Sequence, residues 1–182
     1  NDRRIINEVG QYHTYISPFS YQVNPDASLT SINDTPILQA ARPFRAAPLM
    51  VITNFRGGNF DADLVDTILR SESLQNTLID NVLGVMRDKG YYGLNIDFER
   101  IPPGDRELYN QFLRRVVARL RPLNYPVSTA LPPKPEDYTG GAWHGAHDYR
   151  AHGQIVDFVI LMTYEWGWSG GPPYAVAPIN LV

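Results

Sequence analysis

An α/β fold with a parallel sheet covered by helices is what this sequence predicts, on three observations. Short apolar segments alternate along the chain with longer ones whose apolar residues repeat at helical spacing. The short segments are near-continuously apolar, as strands buried on both faces are. The Pro- and Gly-rich stretches 132–141 and 167–173 fall just after strand ends, where α/β enzymes place functional loops. With 182 residues, 43% hydrophobic and 19% charged, the chain is long enough to bury one core, and a single domain is the natural count.

Residues 12–21, rich in aromatic and β-branched side chains, read as the first strand and 49–53 as a second. Between them, Thr35 is placed as an N-cap with Pro36 at the first helical position, opening a short helix that Pro43 stops. A longer helix is predicted over 72–89. There Leu74, Leu78, Ile79, Val82, Leu83 and Met86 make one stripe, and Gly90 supplies the C-cap. A strand over 93–99 follows, then a helix over 105–120 that stripes Leu108, Phe112, Leu113, Val116, Val117 and Leu120 and ends before Pro122. Segments 127–131 and 156–164 are the last strands.

Composition excludes several functions. Lys plus Arg number 16 against 19 for Asp plus Glu, a net charge of -3, which argues against a nucleic-acid footprint or a polybasic membrane surface. The absence of cysteine excludes a disulfide scaffold, a thiol nucleophile and cysteine-ligated zinc. No apolar run approaches the roughly 20 residues that a membrane-spanning helix needs. The chain starts at Asn1 rather than Met, so a piece of a longer product is expected.

The chemistry concentrates in Tyr92-Gly93-Leu94-Asn95-Ile96-Asp97-Phe98-Glu99. Side chains on a strand repeat every second residue, so Asn95, Asp97 and Glu99 are expected on one face, opposite Leu94, Ile96 and Phe98. Two carboxylates on an inward face are costly unless they do chemistry. At about 3.3 Å per residue their Cβ atoms lie roughly 6.5 to 7 Å apart, near enough for one charge to raise the pKa of the other and keep it protonated as a general acid. The bland alternative is an ion-paired or capping cluster at a strand end. Both groups also come off one strand and one face, badly placed to act as nucleophile and acid on opposite sides of a substrate. A nucleophile from the substrate itself fits better.

This run, together with Val159-Ile160-Leu161-Met162-Thr163-Tyr164-Glu165, resembles the family 18 glycoside hydrolases, the chitinase-like (β/α)8 barrels. Their motifs are Asp-Gly-x-Asp-x-Asp-x-Glu at the end of the fourth strand and Met-x-Tyr-Asp on the sixth. Leu49-Met50-Val51-Ile52-Thr53-Asn54-Phe55-Arg56-Gly57-Gly58 and Thr163-Tyr164-Glu165-Trp166-Gly167-Trp168 are similar to one branch in particular, the cortical-fragment N-acetylglucosaminidases of bacterial spores. The resemblance covers essentially the whole chain. It implies a partial (β/α)8 barrel covering about strands 2 to 6, with 1–182 as one catalytic domain of a larger barrel whose strand 1 precedes Asn1 and whose strands 7 and 8 follow Val182. A complete barrel needs about 250 residues.

Carried over residue by residue, the resemblance makes Glu99 the general acid, later the base. Asp97 would orient the substrate's 2-acetamido group and stabilise the cyclised intermediate, and Tyr164 would bond the acetamido carbonyl. Asn95, Asn54, Met162, Glu165, Trp166 and Trp168 are implied substrate contacts, with Met162 beneath the sugar. The implied reaction is retaining hydrolysis of β-1,4-linked N-acetylglucosamine in peptidoglycan or chitin-like polymers, without cofactor or metal. Its only implied partner is the glycan, and its implied location is extracellular, at the cell wall or spore. Three positions depart from the motifs: Tyr92 stands for the first Asp, Asn95 for the second and Glu165 for the last. Asn95 is expected to replace proton sharing with an amide hydrogen bond to Asp97.

Two rival readings remain. Glu165, at the end of a different strand, is the internal candidate for a protein nucleophile. A chitinase-like lectin that holds sugar without cleaving it is the other, and the retained Glu99 speaks against it. Trp143, Trp166, Trp168 and Tyr174 are candidates for stacking on sugars or for loop packing. His144, His147, Asp148 and His152 cluster, but in a Gly-rich loop without His-Glu-x-x-His spacing, so surface or supporting roles are expected of them rather than metal binding. Arg56-Gly57-Gly58 reads as a turn.

Overall fold

The computed structural model describes residues 2–164, 167 and 170–180. In chain order its elements are α1 (Asp2–Val9), β1 (Tyr15–Ile16), β2 (Tyr21–Val23), β3 (Leu29–Thr30), α2 (Thr35–Ala41), β4 (Ala47–Thr53), β5 (Phe55–Arg56), β6 (Asn59–Phe60) and α3 (Ala62–Arg70). Then come α4 (Glu72–Lys89), β7 (Gly93–Asp97), α5 (Arg106–Leu120), β8 (Val127–Leu131), α6 (Tyr149–Ile155) and β9 (Phe158–Leu161). The main sheet has seven strands in the order β3-β2-β4-β7-β8-β9, with β1 also on β4. Every pair in it is parallel except β2 with β3.

The sheet is open but strongly curved. Tyr15 of β1 and Phe158 of β9 belong to opposite sides of it, separated by β4, β7 and β8, and would lie roughly 19 Å apart in a flat sheet. Their rings stack at 5.2 Å between centroids. Only curling of the sheet toward a barrel brings them together, and Tyr92 at 6.3 Å from Tyr15 helps fill the same end. On the convex side the stripes of α3, α4 and α5 pack onto the strands. Leu78, Ile79, Val82, Met86, Phe112 and Val116 meet Leu94 and Ile96 in one continuous apolar core.

The 72–89 helix and the 127–131 strand fall where the sequence places them, and Gly90 caps α4 at φ 73°. The first predicted strand is instead two pieces. The step from Ile16 to Tyr21 spans one residue more than the step from Pro48 to Ile52 on its partner, a bulge around Pro18, which has no N–H for the ladder. The N-cap of α2 is Asp34 rather than Thr35, and its carboxylate does not cap. It accepts from Tyr21, from Tyr91 at 2.5 Å and from Lys89 at 2.7 Å. Burial raises its pKa, but these donors outweigh burial and hold it below the usual carboxylate range. Helices α3 and α6 were not expected. Asp61 and Asp148 cap them by accepting from Leu64 N and Ala151 N, both at 2.9 Å, so the supposed Gly-rich loop is partly helix.

Candidate active site

Strand β7 sits at the centre of the parallel run, between β4 and β8. It starts at Gly93, where a Cβ would lie 2.7 Å from the Pro126 carbonyl oxygen. It ends at Asp97, so Glu99 lies past the strand rather than on it. Phe98 turns toward α5, with its ring 5.9 Å from that of Phe112, and the neighbouring Asp97 takes the other side. Because β4, β7 and β9 are parallel, Asn54, Asp97, Glu99, Met162 and Tyr164 all gather at the same edge of the sheet, the edge where barrels carry their chemistry.

Asp97 is 5% exposed, and burial pushes its carboxyl up to about 6. Its Oδ1 has no hydrogen-bond partner among the described residues. The raised pKa of Asp97 comes from its desolvation by burial. The hydrogen bonds among the described residues do not include the predicted one from Asn95 to Asp97. Asn95, which is buried, donates to Ser128 Oγ at 3.0 Å, the residue opposite it in register on β8.

Asn54, expected as a substrate contact, lies against the main chain of Glu99. It is wholly buried, its Nδ2 donates to the Glu99 carbonyl at 2.8 Å and to the Asp61 carbonyl at 3.1 Å, and its Oδ1 accepts from Glu99 N at 3.0 Å. The next carbonyl back, that of Phe98, is bonded by His147 Nε2 at 3.0 Å. Two side chains from different loops thus grip the main chain at Phe98 and Glu99. His147 and His152 are buried, which fits the supporting rather than the surface role among those expected of that cluster. Burial pushes their pKa values down to about 4 and about 3, so both are neutral at pH 7. His152 shares a hydrogen bond with Thr129 at 3.1 Å, and Tyr109 lies edge-on to both imidazoles.

The loop that delivers His147 is held by two cations. Arg106 donates to the Gly145 carbonyl at 2.9 Å and to Asp137 and Asp148, while buried Lys134 reaches the His147 carbonyl and Asp137, both at 2.7 Å. The sequence reading missed Arg106, Lys134 and Ser128. Arg106 at the start of the helix after the catalytic strand, facing an Asp-rich loop, was the available signal.

Met162 extends the β8 ladder by donating its N–H to the Leu131 carbonyl at 2.9 Å, and Tyr164 beyond it is exposed. Glu165, Trp166 and Trp168 lie outside the described residues. At the rim, the β5–β6 hairpin turns at Gly57 and Gly58, both at positive φ, as the Arg-Gly-Gly reading expected. Its Phe60 meets the exposed Trp143 edge-on.

Acidic groups thus stand at the C-terminal end of a central strand in a curved parallel sheet, the end at which barrel folds carry their sites. Residues 19–179 match Glycosyl hydrolases family 18, and the chain belongs to that family. It is 45% identical to the cortical fragment-lytic enzyme of Bacillus cereus, over 100% of this chain and 42% of that protein, and so spans less than half the length of this curated relative. The crystal structure of the Bacillus cereus spore cortex-lytic enzyme SleL superposes with a TM-score of 0.94 at 43% identity, covering 100% of this chain and 42% of the other. A chitinase from Chromobacterium violaceum ATCC 12472 shares the fold, with a TM-score of 0.87 at 20% identity over 98% of this chain and 57% of its own.

Proposed function

We propose that the protein hydrolyses β-1,4 bonds of N-acetylglucosamine in peptidoglycan fragments by substrate-assisted retention, at the cell wall or spore. The observation that carries the reading is the buried, partner-poor Asp97 two residues before Glu99, at the functional edge of a family 18 fold. In this reading Glu99 protonates the leaving oxygen while the substrate's acetamido carbonyl oxygen attacks the anomeric carbon. Asp97 accepts from the acetamido N–H as positive charge develops there, and Tyr164 donates to the acetamido oxygen. Water, deprotonated by Glu99, then opens the cyclised intermediate with net retention. With a pKa near 6, Asp97 is largely ionised at pH 7 and can accept that hydrogen bond as a carboxylate. Peptidoglycan is favoured over chitin because the relatives at 45% and 43% identity are named for cortex and cortical-fragment lysis.

Paired aryl glycosides with and without the 2-acetamido group test the mechanism. A positioned internal nucleophile is worth effective molarities of roughly 10⁵ to 10⁸ M, so turnover should collapse without the group. A thiazoline mimic of the intermediate should inhibit tightly. Comparable turnover of both glycosides, or a sugar trapped covalently on Glu165, rejects substrate assistance.

A further inference from the structure

We propose that His147 is a positioning residue for Glu99: it holds the peptide unit between Phe98 and Glu99 from the side opposite Asn54, and so sets the direction in which the acid leaves the main chain. Its effect on turnover rests on the glycosidase reading above. A trans peptide points its C=O and its N–H in opposite directions. Here His147 Nε2 lies 3.0 Å from the Phe98 carbonyl oxygen, and Glu99 N donates to Asn54 Oδ1 at 3.0 Å. Both edges of one peptide are therefore held by side chains, from loops far apart in sequence. No strand ladder secures that peptide, because β7 ends at Asp97 and the chain turns at Arg100 with φ 55°.

A carbonyl can only accept, so the shared proton belongs to Nε2 and Nδ1 is left as a bare acceptor. Nδ1 is buried and has no hydrogen-bond partner among the described residues. An orphaned nitrogen in the interior costs stability, and a fold that keeps one needs a reason beyond packing. The surroundings of the ring supply rigidity. His147 is 1% exposed, its main-chain N–H donates to the His144 carbonyl at 3.1 Å, and its carbonyl accepts from Lys134 at 2.7 Å. Asp148, next along, caps α6, and the Tyr109 ring meets the imidazole edge-on at 5.9 Å between centroids. Two residues back, Gly145 is packed so closely that a Cβ would lie 2.8 Å from the Thr139 carbonyl oxygen and 2.9 Å from Pro103 Cβ. The donor thus stands on a fixed frame, as a group that aims another must.

Two variants of the full-length protein test this. His147→Phe keeps a flat ring beside Tyr109 and removes the donor, whereas His147→Gln supplies an amide N–H at a reach similar to that of Nε2. The readouts are steady-state kinetics on an aryl N-acetylglucosaminide and deuterium exchange at the Glu99 amide. His147→Phe should lower kcat by about ten- to a hundredfold with KM little changed, as misplacing a reacting group by about 1 Å does. It should speed exchange at Glu99 by about tenfold, the worth of one lost hydrogen bond, and by more than at amides within α4. His147→Gln should recover most of both. Equal losses in the two variants assign the effect to ring packing, and an unchanged kcat in His147→Phe leaves the histidine purely structural; either result overturns the proposal. Nitrogen NMR of the parent needs no variant: the His147 proton should reside on Nε2, and a proton on Nδ1 overturns the proposal. A parent that hydrolyses no N-acetylglucosaminide sinks the glycosidase reading, whereas exchange and tautomer still decide whether His147 holds Glu99.

Discussion

Asn54 brackets the main chain of Glu99, donating to its carbonyl at 2.8 Å and accepting from its N–H at 3.0 Å. An amide from the end of β4 thereby sets where the carboxyl past the end of β7 is presented, a job that main-chain pairing no longer does there because the strand has stopped at Asp97. Asn54→Ala should lower kcat by about a hundredfold with a much smaller change in KM, since a misplacement of about 1 Å costs that much. It should also lower the melting temperature, because partly buried main-chain groups lose their partner. Steady-state kinetics beside thermal melts check both, and a loss confined to KM argues against positioning.

Glu99→Gln should remove turnover by a factor of about 10² to 10⁴ while sugar binding persists, because it deletes the transferable proton and little else. Asp97→Asn should be comparably severe. Full activity in Glu99→Gln moves the acid elsewhere, with Glu165 the first place to look.

Asp97 should be a stability liability whose size depends on pH. Its folded pKa of about 6 lies above the ordinary 3.8, so between those values the folded state binds more protons than the unfolded one, and stability falls as pH rises. Asp97→Asn escapes this cost. The variant should be more stable than the parent by up to about 3 kcal/mol above pH 6, and the gap should close toward pH 4. Denaturant melts at several pH values measure the gap, and one that widens on acidification contradicts the assignment.

The buried histidines act in the opposite sense. Unfolded histidines protonate near 6.5, whereas folded His147 and His152 do so only near 4 and 3. Through the interval below 6.5 the unfolded chain binds more protons, so their contribution to stability is lost as pH falls. His152→Asn should flatten the acid limb of the stability profile between about pH 6.5 and 4. An unchanged limb places the acid sensitivity in other groups.

Much was legible in the sequence because it was periodic. The stripe from Leu74 to Met86 ended at Gly90 and could only be one amphipathic helix, and alternation through Leu94, Ile96 and Phe98 placed Asp97 on the face away from the core. The short α3 and α6 escaped notice, since each depends on an aspartate cap and on packing more than on a long stripe. Partnership was likewise invisible to local pattern. Whether Asn95 bonds Asp97 or Ser128, and whether Asn54 meets sugar or Glu99, depends on which strand ends lie side by side. Burial, which shifts Asp97 and both histidines, is a sum over elements far apart in the chain. Local pattern alone carried the strand–helix alternation, the carboxylates and the family likeness. Only the curled tertiary structure decided which polar groups are desolvated and which hold others in place, because hydrogen bonds and dielectric are properties of neighbours in space.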